Sequence, residues 1–191
     1  MTTLPVPEDR GQLFVRRIPE GASQHETAHA LLQEGLRRYA RQEGFLLPDA
    51  PVTVAYARSG KPYLPQLPDV QCSLSHCKGL AAVLLSRFVC GVDAEGERPL
   101  RAGVVRRAFA PEEARALACA PDPDALFVRL WTLKEAYTKA TGTGIACDMK
   151  ALCFSLDGDT VQSAPPGADF VLHRYGTFTV STCLLHASPL S

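Results

Sequence analysis

Long apolar runs are missing from this sequence, which has no stretch of the roughly 20 apolar residues that an α-helix needs to cross a membrane. A signal peptide is not recognisable either, because the opening MTTLPVPEDR holds prolines and acids where a basic end and an apolar run belong. We therefore expect a cytoplasmic protein without a membrane partner.

An excess of charge of one sign is missing as well. Lysine and arginine together number 20, and aspartate and glutamate also number 20, so the formal net charge is zero. Proteins that bind nucleic acid or anionic membranes through their overall charge are usually basic. We expect no nucleic-acid partner, and any site for an anion must be a local feature.

Paired cysteines and several familiar catalytic motifs are absent. The seven cysteines are scattered and free of C-x-x-C spacing, which argues against a disulfide framework or a zinc ribbon and predicts reduced thiols in the core. The sequence has no Walker loop, dinucleotide fingerprint, HExxH zinc motif or nucleophile elbow. His25 and His29 are four residues apart, but no third metal ligand is near them in sequence, so we interpret the pair as structural.

Apolar residues are plentiful enough for a packed core, at 46% of the 191 residues. The segment SQHE is typical of a capping box, in which Ser23 and Glu26 satisfy free amides at the start of a helix. Helical spacing of apolar residues then continues to Gly44, which predicts the end of that helix. A second long helix is predicted from Asp124, as its N-cap, to Gly142.

Short apolar segments elsewhere predict strands. QCSLSH, LAAVLLS and CGVDAE are separated only by Lys78-Gly79 and Arg87-Phe88, which favours an antiparallel meander. A helical region is expected over residues 101–119, with a break at Pro111. Further strands are predicted at VTVAYA, before the extended connector GKPYLPQLPD, and at LCFSL, DFVLH and FTVSTCLL.

This order of elements predicts an α+β fold with two similar lobes, each a small antiparallel sheet packed with helices. The N-terminal lobe would comprise residues 1–90 and the C-terminal lobe residues 91–191. No long linker separates the two halves in the sequence. We therefore expect them to meet directly near Gly91.

Two carboxylates close together in sequence form the first candidate site. Asp93 and Glu95 end the predicted strand CGVDAE, and strand alternation places both side chains on the same side of the chain. Carboxylate oxygens held side by side suit magnesium, which usually takes one or two protein carboxylates and completes its shell with water and phosphate oxygens. Taken alone, a D-x-E segment at a strand end is more often a solvated turn.

The second long helix carries another candidate site. Trp131, Glu135 and Lys139 lie four residues apart and therefore share one helix face. Glu135 and Lys139 combine an acid and a base there, although on this segment alone an ordinary surface ion pair is the simpler interpretation. Another face of the helix is apolar, with a stripe formed by Leu126, Leu130, Leu133 and Tyr137.

Two further segments offer contacts for an anion. Ser75 and His76 lie at a junction of strand and turn, where an imidazole and a hydroxyl can donate to a phosphate. Lys61, in the turn Gly60-Lys61-Pro62, can point an ammonium group at an anion. A structural histidine and an ordinary turn lysine are the alternatives.

Five segments follow one another along this chain: GKPYLP, SLSHCKG, GVDAE, AFAPEEA and RLWTLKEAYTKATGTG. Taken together and in this order, they resemble the 4'-phosphopantetheinyl transferases of the surfactin-synthetase-activating type. The detailed match covers about Ser59 to Ile145. The resemblance implies a pseudodimer of two lobes with the active site at their interface. It also implies transfer of 4'-phosphopantetheine from coenzyme A to a serine of an apo acyl or peptidyl carrier protein, giving holo-carrier and 3',5'-ADP, as a holo-[acyl-carrier-protein] synthase does.

The same resemblance implies roles for individual residues. Asp93, Glu95 and Glu135 would be the ligands of magnesium, with manganese as an alternative ion. Glu135 would also take the proton from the attacking serine, and Lys139 would contact the pyrophosphate, so that Asp93, Glu135 and Lys139 are the predicted catalytic residues. The predicted coenzyme A contacts are Lys61, Pro62, Ser75, His76 and Lys139.

Partner and substrate contacts follow from the resemblance too. Carrier proteins of this kind are usually acidic, and Arg101, Arg106 and Arg107 offer a basic docking surface near the AFAPEE segment. A two-lobed chain is expected to work as a monomer. His29 stands where the family commonly has an arginine, which predicts weaker or rearranged binding of the coenzyme A 3'-phosphate. Two alternatives stay open: a non-catalytic relative that binds carrier proteins, and a magnesium-dependent hydrolase of nucleotide pyrophosphates.

Overall fold

The computed structural model describes residues 1–6 and 10–186, except for the side chain of Ile145. None of the helices in this part of the chain is long and apolar enough to span a membrane. In chain order the elements are β1 (Thr2–Leu4), β2 (Gly11–Arg17), α1 (Gln24–Glu43), β3 (Ala55–Tyr56), β4 (Pro62–Tyr63), β5 (Gln71–Cys77), β6 (Leu80–Ser86), β7 (Cys90–Gly96), α2 (Ala102–Ala108), α3 (Pro111–Cys119), α4 (Pro123–Thr141), a 3₁₀ turn (Gly144–Ala146), β8 (Ser155–Asp157), β9 (Thr160–Ser163), β10 (Ala168–Tyr175) and β11 (Phe178–Leu185).

Two antiparallel sheets form the framework, which confirms the predicted α+β class. The first sheet has the strand order β1-β2-β6-β5 and the second has the order β10-β11-β7. Two small hairpins, β3-β4 and β8-β9, lie beside them. All strands of the first sheet precede residue 87 and all strands of the second follow residue 89. A division into lobes at residues 90 and 91 stays a prediction.

The predicted three-strand meander is wrong in its third strand. β5 and β6 pair as expected, but β7 pairs with β11 instead of β6. Two serines of β5 explain how β7 does without that neighbour, since Ser73 and Ser75 accept hydrogen bonds from the amides of Val92 and Ala94 at 3.0 and 3.1 Å. These hydroxyls satisfy β7 backbone groups and join the two sheets.

The two sheets lie face to face between α1 and α4. One face of the first sheet packs against α1, with Phe14 and Val83 among the buried contacts. Its opposite face packs on the second sheet, where Leu13 of β2 meets Val180 of β11 in one cluster. α4 covers the far face of the second sheet. The core is therefore a stack of helix, sheet, sheet and helix.

Gly91 sets the distance between β7 and α4. A Cβ atom at this position would lie 2.0 Å from the carbonyl oxygen of Ala136 and 2.5 Å from the amide nitrogen of Ala140. Any larger residue would push the helix away from the strand. The close approach brings side chains of α4 next to the carboxylates that follow Gly91 on β7.

The predicted limits of the first helix are confirmed. The hydroxyl of Ser23 accepts a hydrogen bond from the amide of Glu26 at 3.2 Å, and Gly44 ends α1 in a left-handed conformation, with φ of 74°. The predicted break before Pro111 is confirmed as well, since α2 ends at Ala108 and α3 begins at Pro111.

The start of α4 requires a correction. Its N-cap is Asp122, whose carboxylate accepts from the amide of Ala125 at 2.9 Å, and not Asp124. Pro123 begins the helix, because a proline is well tolerated at the first helical position, where its missing N–H would have no partner anyway. The predicted end at Gly142 is confirmed, with φ of 69°.

Several strands differ from the sequence-based expectation. β1 and β2 were not predicted, although β2 is a central strand of the first sheet with Leu13, Phe14 and Val15 fully buried. The predicted strand VTVAYA is reduced to Ala55–Tyr56. β10 and β11 contain the predicted segments DFVLH and FTVSTCLL, and LCFSL contributes only its last two residues to β8.

All seven cysteines are free thiols, as predicted. Cys72, Cys90 and Cys183 are buried, but Cys119 and Cys153 are exposed. The expectation that every cysteine fills the core is therefore wrong for these two, which lie at the end of α3 and just before β8.

Candidate active site

A cavity of about 420 Å³ lies where β5, β7, α1 and α4 meet. Every residue predicted for catalysis, metal binding or coenzyme A binding lines it, although these residues come from segments far apart in the chain. Lys78, next to the predicted pair Ser75-His76, is not among the lining residues. The predicted residues along the wall are Lys61, Pro62, Ser75, His76, Asp93, Glu95, Glu135 and Lys139.

Asp93 is the central carboxylate of the cavity, and its residue is only 6% exposed. Its Oδ1 accepts hydrogen bonds from Lys139 Nζ at 2.7 Å and from the Ser75 hydroxyl at 2.9 Å. Lys139 Nζ also donates to the Ser75 oxygen at 2.9 Å. The second oxygen, Oδ2, is buried and has no hydrogen-bond partner among the residues that the structure describes. A buried oxygen of this kind is open to a cation.

Glu95 and Glu135 bring two further carboxylates to the same wall. Burial raises the pKa of Glu95, and the negative charge of Asp93 raises it further, although Arg98 lies 3.1 Å away and opposes the shift. Burial is also the main reason for the raised pKa of Glu135, followed by the charge of Asp93. The negative charge of Asp93 therefore disfavours the ionised forms of both Glu95 and Glu135.

The donor chemistry of these residues fits a hard divalent cation, since carboxylate oxygens are the usual protein ligands of magnesium. A ready-made cage is not present: in the described part of the chain, no three His, Cys, Asp or Glu side chains are grouped closely enough to hold a metal ion. An ammonium group, Lys139 Nζ, lies on one of the expected ligand oxygens of Asp93. We conclude that the donor chemistry of these residues fits the ion, whereas their present spacing is not that of a finished metal site.

α4 presents the predicted face to this cavity. Lys139 forms an ion pair with Asp93 across the interface between helix and strand, whereas the segment alone suggested an ordinary surface pair with Glu135. Trp131, one turn before Glu135, stacks against Phe127 with 6.3 Å between ring centroids. In the predicted apolar stripe, Leu130 and Leu133 are buried, and Leu126 and Tyr137 are half-buried.

Lys61 has a contact that the sequence analysis did not anticipate. Its ammonium group donates to the carbonyl oxygen of Ala140 at 2.5 Å, near the end of α4. Cations favour helix C-termini, where carbonyl groups lack partners within the helix. Burial lowers the pKa of this lysine. Pro62, in β4, pairs with Tyr56 of β3 and so holds the Lys61 turn against the cavity.

Three histidines border the cavity, including the pair that the sequence analysis interpreted as structural. The rings of His25 and His29 lie 4.2 Å apart, and His29 Nε2 is 3.4 Å from the Tyr56 hydroxyl. His76 Nδ1 lies 3.3 Å from the side-chain oxygen of Gln24. Burial, followed by the charges of His25 and His76, lowers the pKa of His29. The helical spacing of His25 and His29, directly after a cap at Ser23, was the signal for their position.

Comparison with known proteins adds a family context. Residues 89–183 match the family model described as the 4'-phosphopantetheinyl transferase superfamily. A 4'-phosphopantetheinyl transferase of Bacillus subtilis is 30% identical over 74% of this chain and 66% of its own length. The 4'-phosphopantetheinyl transferase HetI of a Nostoc species is 32% identical over 74% of this chain and 68% of its own.

The matches do not extend over the whole of these relatives. The chain covers 66%, 58%, 61% and 61% of the length of four matching relatives from Bacillus species. A solved structure, the holo-[acyl-carrier-protein] synthase of Thermotoga maritima, aligns with 53% of this chain and 65% of its own at 19% identity and a TM-score of 0.44.

Proposed function

Because the chain belongs to the 4'-phosphopantetheinyl transferase superfamily, we propose that it transfers 4'-phosphopantetheine from coenzyme A to a serine hydroxyl of an apo acyl or peptidyl carrier protein. The products are the holo-carrier and 3',5'-ADP, as for a holo-[acyl-carrier-protein] synthase. One observation supports this function best: residues from four separate motifs line a single cavity and present both carboxylates and cations to it.

The reaction needs an aligned hydroxyl, a proton acceptor and neutralised phosphate charge. The serine oxygen attacks the phosphorus next to the pantetheine, and the P–O bond to 3',5'-ADP breaks. We assign proton removal from the serine to Glu135, since burial and neighbouring charge make its carboxylate more basic than that of an exposed glutamate. Lys139 contacts the pyrophosphate and stabilises the leaving 3',5'-ADP.

Asp93, Glu95 and Glu135 would hold magnesium, or manganese in its place, and the bound ion would neutralise negative charge on the pyrophosphate. Lys61, Pro62, Ser75 and His76, together with Lys139, would contact coenzyme A. Two observations support this assignment. The buried Oδ2 atom of Asp93 has no hydrogen-bond partner in the described part of the chain, and the acidic side chains that line the cavity all offer oxygen as the ligand atom.

Carrier docking is proposed at α2. Arg101, Arg106 and Arg107 are exposed and offer positive charge to an acidic carrier. In the neighbouring AFAPEE segment, Glu112 is exposed, whereas Glu113 is buried against Lys134 and is not available to a partner. We further propose that the protein acts in the cytoplasm as a monomer, without nucleic-acid or membrane partners.

Intact mass spectrometry of a mixed panel of apo acyl and peptidyl carrier proteins tests this function. After incubation with the protein, coenzyme A and magnesium, at least one carrier should gain the mass of one phosphopantetheine, and EDTA should abolish the gain. Unmodified carriers together with release of 3',5'-ADP would favour the hydrolase. Unmodified carriers that nevertheless bind the protein, with no bound coenzyme A, would favour the non-catalytic relative.

A further inference from the structure

Asp93 already forms an ion pair with a cation of this chain, the ammonium group of Lys139. Lys139 Nζ lies 2.7 Å from Oδ1, and the side chains of Asp93 and Lys139 are 9% and 32% exposed. Partial burial strengthens the attraction between these two charges relative to a pair in open water. A divalent ion that uses Asp93 must therefore compete with an ammonium group whose side chain is attached to α4 and so stays close to the site.

Ser75 ties both groups together. Its hydroxyl donates to Asp93 Oδ1 at 2.9 Å and accepts from Lys139 Nζ at 2.9 Å and from the amide of Ala94 at 3.1 Å. One donor and two acceptor positions fill the capacity of a serine hydroxyl. If Lys139 leaves, the bonds to Asp93 and Ala94 are still available. Asp93 then keeps its orientation, so release of the lysine exposes the carboxylate without rebuilding the strand.

Lys139 is the part of this arrangement that can move. Its side chain is flexible and about a third exposed, and the cavity it borders is the one in which the proposed substrate would lie. A pyrophosphate group carries more negative charge than one shared carboxylate. Binding of such a group therefore gives Lys139 a stronger partner and withdraws it from Asp93.

We propose that Lys139 is a tethered competitor for the divalent cation at Asp93, and that the pyrophosphate of coenzyme A relieves this competition by drawing the lysine away. The inference rests on the proposed function. Its consequence is coupling between two ligands: the cation binds weakly to the free protein and more tightly once coenzyme A is bound. Because such coupling is reciprocal, the cation must tighten coenzyme A by the same factor.

Manganese binding to the purified protein tests the proposal without measuring turnover. Electron paramagnetic resonance reports free Mn²⁺ during titration of wild type and the Lys139→Met variant, each with and without coenzyme A. We expect Lys139→Met to bind Mn²⁺ at least tenfold more tightly than wild type when coenzyme A is absent. Coenzyme A should then tighten Mn²⁺ binding severalfold more in wild type than in the variant.

Matched variants separate competition from a simple change of net charge. Lys139→Arg keeps a cation at the position and should bind Mn²⁺ as weakly as wild type. Lys61→Met removes a cation that lines the same cavity but bonds Ala140 instead of Asp93, and it should change Mn²⁺ affinity much less than Lys139→Met does. Adding Asp93→Asn to Lys139→Met should cancel the gain in affinity.

Equal or weaker Mn²⁺ binding by Lys139→Met than by wild type, without coenzyme A, would overturn the proposal. An equal gain in Lys61→Met would overturn it as well, because the effect would then follow charge alone. The carrier-protein assay reports separately on the proposed function. Modified carriers with no gain in Mn²⁺ affinity for Lys139→Met would reject the competition and support the transferase. A gain in Mn²⁺ affinity with unmodified carriers would support the competition and reject the transferase.

Discussion

The two carboxylate oxygens of Asp93 have different surroundings. The residue is nearly inaccessible, one oxygen bonds Lys139 and Ser75, and the other has no hydrogen-bond partner within the described residues. The sequence predicted the presence of Asp93 and Lys139 in one site, because both lie in motifs of the family. Their direct contact was not predictable, since it joins positions 46 residues apart and depends on how closely α4 approaches β7.

Glu135→Gln tests the proposed proton acceptor. The amide has almost the same shape as the carboxylate but cannot take a proton, so turnover should fall by at least about 100-fold while the fold stays intact. Carrier modification rates and circular dichroism are the measurements. Glu20→Gln, a change at an exposed acid that does not line the cavity, is the matched control and should keep its turnover. Near-normal turnover of Glu135→Gln would remove Glu135 from the mechanism.

His29→Arg tests the predicted weakness of the 3'-phosphate contact. Burial and two neighbouring imidazoles lower the pKa of His29, so its ring is neutral at neutral pH and gains charge only as the pH falls. An anion favours the charged form of the ring, so the affinity of the wild-type protein for coenzyme A should fall as the pH rises. The variant should bind about tenfold more tightly at pH 7.5, by calorimetry, with the difference shrinking toward acid pH.

A control variant carries the same change elsewhere. His186 is not among the residues that line the cavity, and its Nε2 lies 2.9 Å from Asp169. His186→Arg should leave coenzyme A affinity unchanged. If His29→Arg and wild type show the same affinity across the pH range, His29 does not face a phosphate.

Among the elements, β7 and α4 bear most directly on the site, and Gly91 keeps them together. In Gly91→Ala the added methyl group would meet the backbone of α4, which cannot yield as a flexible side chain can. We expect a loss of about 3 kcal/mol in unfolding free energy, or roughly 6–12 °C in Tm. Gly103→Ala, at a helical position with open space around it, should cost nothing. A Tm within one degree of wild type for Gly91→Ala would contradict this account of the interface.

A buried ion pair links α3 and α4, and the sequence analysis missed it. Lys134 and Glu113 have fully buried side chains with 2.8 Å between Nζ and Oε2, and Lys134 also donates to the carbonyl oxygens of Met149 and Leu152. Glu113 in turn accepts from the amide of Phe154 at 3.0 Å. Nothing in the local sequence distinguishes these two charges from exposed ones, because their burial depends on packing between distant segments.

Lys134→Met should destabilise the protein strongly, by about 3–5 kcal/mol, since it leaves the carboxylate of Glu113 buried without its cation. Adding Glu113→Gln to this variant removes the uncompensated charge and should recover at least half of the loss. Urea denaturation of the single and double variants measures both values. A double variant no more stable than Lys134→Met would show that the lost carbonyl contacts, and not the buried charge, carry the cost.

Sequence signals at helix ends were more reliable than those for strand pairing. Ser23, Gly44 and Gly142 act within a few residues of their own backbone, so local chemistry sufficed to predict them. The partner of β7 is β11, a strand almost 90 residues later. The serine hydroxyls of β5 that accept hydrogen bonds from the β7 amides cannot be told from other strand serines in the sequence. β2 was missed because its apolar core of Leu13, Phe14 and Val15 is only three residues long.

For the whole molecule, the stack of two sheets between two helices explains why the cavity forms where it does. β5 from the first sheet and β7 from the second meet through serine hydroxyls, and α1 and α4 approach that junction from opposite sides. Cations and carboxylates from both halves of the chain therefore face one space. We propose that this space transfers phosphopantetheine and does not merely bind or hydrolyse coenzyme A.

A single reaction that quantifies both products tests this claim most directly. The protein is incubated with coenzyme A, magnesium and an apo carrier, and 3',5'-ADP is measured by chromatography while holo-carrier is measured by intact mass. We predict equal amounts of the two products at every time, none with EDTA, and at least about 100-fold slower formation with Glu135→Gln. Accumulation of 3',5'-ADP while the carriers stay unmodified would contradict the account.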